Sequence, residues 1–167
     1  MQKGFSKILL VLIIVVGILG GLFYFGGNSN ALSYKNWSVN ASRPSLQPVE
    51  TAEGMLLSAE KEGDESVMFL NITLPKEQDA VIDFLMKFEE KGDGDWLTVT
   101  FNDEQLFFFG GNSFFGEDFQ ATFVPTGSFA GQTGVLKFTM HGSGNTLSSV
   151  LVKNPRLQKT WNPSRPS

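Results

Sequence analysis

Hydrophobic and polar positions divide the chain into two unlike parts. Residues Ile8 to Phe25, ILLVLIIVVGILGGLFYF, are eighteen consecutive positions without a charge, amide or proline. As a helix rising about 1.5 Å per residue, the run is roughly 27 Å long, enough for a thin bilayer. Lys3 and Lys7 precede it, and no charge follows until Lys35. Positive charge marks the cytoplasmic side, so the N-terminus is expected inside and everything after Phe25 outside.

Beyond that run the hydrophobic period becomes two. Met68, Leu70, Ile72 and Leu74 share one face of the stretch from Ser66 to Leu74, which Pro75 ends. Leu97, Val99 and Phe101 alternate with Thr98 and Thr100, predicting a strand with the apolar residues inward and both threonines outward. Val135 to Met140 and Ser149 to Lys153 alternate likewise, and Ala80 to Lys87 is apolar on both faces except at Asp83. Weaker strand signals lie at Trp37 to Val39, Gly54 to Ala59, Leu106 to Phe109 and Phe119 to Val124. Each stretch is bounded by Gly, Asn, Asp or Pro, and helical patterning over more than two turns is missing outside the first segment. Roughly eight to ten short strands at this spacing predict an all-β antiparallel sandwich or barrel.

The first segment exceeds the apolar core of about 7–15 residues that a cleaved leader carries, which favours a retained transmembrane anchor. The alternative is cleavage and secretion, because Ser29-Asn30-Ala31 offers small residues where a signal peptidase cuts. The expected organisation is an anchor over 1–27, a linker over 28–35, a sandwich over 36–158 and an extended tail over 159–167.

Composition narrows the function classes. The net charge is −4 with 18% charged residues, which disfavours a nucleic-acid partner. The chain has no cysteine, so disulfides and a lipid-modified cysteine are excluded. Catalysis lacks parts as well. The single histidine, His141, ends a strand before Gly142-Ser143-Gly144, and no serine sits in a nucleophile-elbow context. His141 therefore reads as a structural loop residue and the chain as a non-enzyme. No cofactor is called for except structural calcium, for which Asp93 and Asp95 in the acidic Gly92-Asp93-Gly94-Asp95 turn are the candidate oxygen ligands.

The stretch from Leu106 to Phe119, LFFFGGNSFFGEDF, is the most unusual part of the second region. In a regular strand Leu106 and Phe108 face one way while Phe107 and Phe109 face the other. Asn112, Phe114 and Phe115 then fall in a glycine-bordered loop. They are the candidate ligand-binding residues, and three uses are open: packing on the sandwich, contact with a protein or membrane surface, or a sugar platform.

Three phrases taken in order carry a resemblance: GDGDWLTVTFNDEQLF from Gly92, TGSFAGQTGVLKFTM from Thr126 with its small helical corner, and the closing SSVLVKNPRL from Ser148. Over about 36–158 the chain resembles the jelly-roll modules of the galactose-binding-like and carbohydrate-binding-module-like type. The resemblance implies an antiparallel jelly-roll β-sandwich, preceded here by one transmembrane helix. It also implies an extracytoplasmic binding role toward carbohydrate or another surface polymer, on the periplasmic side or the cell surface. The alternative is a non-catalytic accessory subunit of a membrane or envelope complex, touching partner proteins through the helix and the Phe-rich loop.

Overall fold

The computed structural model describes residues 29–90, 94–110, 118–144 and 146–160. Eleven strands run through them: β1 (Ser29–Ala31), β2 (Ser38–Ala41), β3 (Val49–Glu50), β4 (Met55–Ala59), β5 (Glu65–Thr73), β6 (Val81–Glu90), β7 (Trp96–Phe101), β8 (Glu104–Gly110), β9 (Gln120–Pro125), β10 (Thr133–His141) and β11 (Ser148–Gln158). All pairings are antiparallel and form two sheets. One has the order β3-β4-β11-β6-β9, with β1 also on β11, and the other β2-β5-β10-β7-β8. Among the described residues no helix is long and apolar enough to cross a membrane. Residues 8–25 lie outside them.

The inward faces follow the period-2 pattern. Leu97, Val99, Phe101, Leu136 and Phe138 are all fully buried. They meet Leu57, Met86, Val150 and Val152 from the facing sheet in one apolar cluster. Phe138 is its centre of rings, edge-on to Trp37 at 5.5 Å and to Phe84 at 4.9 Å between centroids. β6 is buried on both faces over its first four residues, Val81 to Phe84.

Three local expectations change. Ser29–Ala31, within the expected linker, pairs in register with Arg156 to Gln158. Leu32 then donates its amide to the Pro155 carbonyl at 2.8 Å, and the Tyr34 hydroxyl donates to the Val152 carbonyl. Pairing of this kind uses backbone groups alone, so small residues without alternation carry no signal for it. Trp37 is not a strand residue. It follows a 3₁₀ turn over Tyr34–Asn36 and plugs the core, its Nε1 donating to the Leu32 carbonyl at 3.2 Å. In β8 the partner of Val99 is Phe107 but that of Thr100 is Gln105, so one extra residue is inserted. This bulge breaks the alternation, and Leu106, Phe107 and Phe109 all pack toward the core while Phe108 alone points out, 53% exposed.

The sandwich has two distinct ends. His141, Glu65, Trp96 and Ser148 gather at one, where Asp95 bridges to Ser148. Ser29, Gln158, Val81 and Pro125 gather at the other.

Candidate functional site

The alternation that buries Leu97, Val99 and Phe101 turns Trp96, Thr98 and Thr100 outward. Along β10 it likewise turns out Val135, Lys137, Thr139 and His141, and along β5 Glu65, Val67 and Phe69. Antiparallel register sets these side by side: His141 opposite both Glu65 and Trp96, Thr139 opposite Thr98, Lys137 opposite Thr100. Trp96 apart, they line a groove of about 590 Å³ on the outer face of this sheet, joined by Asn40 and Asp103.

His141 closes one end of it, and two further rings stack behind the imidazole. Trp96 stacks on His141 with centroids 5.0 Å apart and planes 15° apart, and Phe108 leans on Trp96 at 6.4 Å. The row crosses three strands, from β8 through β7 to β10. It is apolar on its faces, while the imidazole and indole nitrogens supply polar edges.

Hydrogen bonds fix the histidine. Nδ1 lies 3.2 Å from Glu65 Oε1 and Nε2 lies 2.9 Å from Thr98 Oγ1. Burial pushes the His141 imidazole below its ordinary range, and the Glu65 carboxylate opposes that shift. In the neutral ring Nδ1–H donates to Glu65 and Nε2 accepts the Thr98 hydroxyl proton. The remaining lone pairs of Thr98 Oγ1 then stay available as acceptors. At the other end of the groove Lys137 pairs with Asp103, whose side chain is largely exposed. The groove therefore offers a carboxylate, an ammonium already paired, several hydroxyls and an apolar floor of Val67 and Phe69.

Of the expected site residues, Asp95 is described and lies away from solvent, 1% exposed. Its Oδ1 accepts the Ser143 amide at 2.5 Å and the Ser143 hydroxyl at 3.1 Å, and its Oδ2 accepts the Ser148 hydroxyl. It ties the start of β7 to the β10–β11 loop. Asp93, Asn112, Phe114 and Phe115 lie outside the described residues. No group of three or more His, Cys, Asp or Glu is placed to hold a metal among the described residues. The sequence pattern does not single out Trp96, Glu65 or Thr98, and it marks His141 as a loop residue, whereas His141 is the last residue of β10. The signal for Trp96 and Thr98 was the outward half of the same alternation. Their meeting with Glu65 and His141 depends on strand register, which the pattern does not encode.

No protein-family model and no curated protein matches the chain. Solved structures do. The xylan-binding module CBM15 shares 14% identity with a TM-score of 0.53, covering 79% of this chain and 96% of its own. CBM27-1 of Caldicellulosiruptor saccharolyticus, solved with mannohexaose, shares 15% at 0.54, covering 81% and 99%. An adhesin domain of Lys-gingipain from Porphyromonas gingivalis shares 10% at 0.54, covering 81% and 100%. The chain is thus an all-β jelly-roll sandwich with the fold of carbohydrate-binding modules.

Proposed function

We propose that this chain is a non-catalytic glycan-binding module, held on the extracytoplasmic face of a membrane by Ile8 to Phe25. The supporting observation is the groove on the outer face of the β2-β5-β10-β7-β8 sheet, closed at one end by His141, on which Trp96 stacks with Phe108 beyond it. Sugar rings present flat C–H faces and a rim of hydroxyls. A wall of rings beside threonine, glutamate and lysine side chains meets both requirements. The match in fold to modules solved with or named for polysaccharides agrees with this reading.

Glu65, His141 and Thr98 align as acid, imidazole and hydroxyl, the order of a hydrolytic triad. Thr98 nevertheless sits inside a strand paired on both sides. The neighbouring backbone N–H groups serve the ladders, which leaves no donor pair to stabilise an oxyanion there. The alignment is better used for holding a ligand than for cleaving one.

The test is affinity electrophoresis of the full-length, detergent-solubilised chain through xylan, mannan and mixed-linkage glucan. At least one polymer should retard it, and Trp96→Ala should weaken the affinity behind that retardation by about two- to tenfold, the worth of a stacked ring at a wet site. Absence of retardation in all three, with co-purification of a larger partner, would refute glycan binding and support the accessory-subunit role.

A further inference from the structure

Strand direction dictates which end of the sandwich a membrane anchor can hold. β1 begins at Ser29, four Cα steps beyond Phe25, the last residue of the apolar run. Four steps at full stretch reach roughly 14 Å. Ser29 pairs with Gln158, Gln158 with Val81, and Val81 with Pro125, so all four lie at one end of their sheet. The facing sheet contributes Thr73 and Thr133 to the same end, because the turn at Gly127–Phe129 leads directly into β10. Thr126 fastens that turn, its amide and hydroxyl both donating to the Ala80 carbonyl at 3.0 Å.

The ring row is at the opposite end. His141 closes β10 beside Trp96, the first residue of β7, and Asp95 reaches Ser148, the first residue of β11. β11 runs eleven residues from Ser148 to Gln158, ten steps or about 33 Å along an extended strand.

We infer that the sandwich stands on end, with Ser29, Asp79 and Ser128 beside the lipid and the Trp96–His141 row presented away from it. The inference rests on retention of Ile8 to Phe25 as an anchor. Turning the domain over would require the link between Phe25 and Ser29 to span the whole sandwich, about twice its reach. Attraction to lipid headgroups plays no part in holding that end down. The loops at the Ser29 end carry Glu77, Asp79, Glu104 and an Asp103 paired with Lys137, against Lys76 and Lys159, a small negative excess that anionic headgroups would repel, so the covalent link alone sets the distance. The ring-lined end of the groove is then directed at a polymer lying beyond the membrane surface.

The absence of cysteine permits a clean test. Asp79→Cys and Glu62→Cys place a single thiol at exposed positions on opposite ends. The full-length chain, labelled with an environment-insensitive fluorophore, is reconstituted into phosphatidylcholine vesicles containing headgroup-nitroxide lipid. Emission from Asp79→Cys should fall about twofold or more, whereas that from Glu62→Cys, roughly 30 Å further out, should barely change. Raising the salt should alter neither value. Equal quenching at both positions, or stronger quenching at Glu62→Cys, would refute the orientation while leaving the anchor intact. Failure of the chain to float with the vesicles would refute the retained anchor and the orientation with it.

Discussion

Phe138 offers the sharpest test of how the two sheets are registered. Its side chain is fully buried and makes edge contacts with both Trp37 and Phe84. Truncation to alanine empties a ring-sized volume that β10, paired along both edges, has little freedom to close. The expected loss is about 3–5 kcal/mol, including about 0.5–1.5 kcal/mol for each aromatic pair. Against a total of about 5–15 kcal/mol, much of the domain's stability would go. For a domain of this size Tm should fall by roughly 10–20 °C. Trp37 touches the mutated ring, so urea unfolding of residues 29–160 followed by tryptophan fluorescence reads the site directly. Phe138→Leu should lose only about 1–1.5 kcal/mol, because most of the volume returns. Phe108→Ala is the control: with its ring half in water it should cost about 0.5–1 kcal/mol. A Phe138→Ala loss below about 1.5 kcal/mol, or one equal to the Phe108→Ala loss, would mean that β10 is out of register by one residue.

Two further outcomes are expected of the same domain. A Cβ at Gly127 would stand 2.2 Å from the Gln78 carbonyl oxygen, so Gly127→Ala should lower the urea midpoint by an amount equivalent to about 1–3 kcal/mol, and an unchanged midpoint would show that the turn yields freely. The Asp64 carboxyl is held below its usual range, chiefly by hydrogen bonds from Arg43, with burial opposing. Its stabilising contribution is therefore complete above the unfolded value near pH 4 and disappears as pH falls through the lower folded value. Asp64→Asn should be less stable than the parent at pH 7, with the gap closing toward about pH 2. A constant gap in Tm across that range would refute this account.

Much of the fold was legible because burial on one face imposes a period of two. Leu97, Val99, Phe101, Leu136 and Phe138 could be assigned inward from spacing alone, and so could the strands that carry them. What escaped was set by groups that leave little trace in side-chain pattern. The edge pairing of Ser29–Ala31 uses main-chain donors and acceptors, and β3 is only two residues long. The bulge at Gln105-Leu106 hid inside a run so apolar that either register looked acceptable. Thr98 was expected outward, and it does face out, yet it is 7% exposed because His141 and the Trp96 and Phe108 rings crowd around it. The candidate groove was the least legible part. Glu65, Trp96 and His141 are far apart in sequence, and two strand pairings bring them together.

β11 also governs the order in which the protein can be made. It is the last of the described strands yet lies in the middle of its sheet, with β4 and β1 along one edge and β6 along the other. Until Ser148 to Gln158 have been synthesised, β3-β4 and β6-β9 are two ribbons with no strand between them, each exposing an unpaired edge. Local hairpins can form early, but closure of the sandwich waits for β11, a long-range step that slows folding. Truncation anywhere upstream of Ser148 should leave no partially functional fragment, since the ribbons on either side of the gap would have nothing to bind but one another or a neighbouring copy.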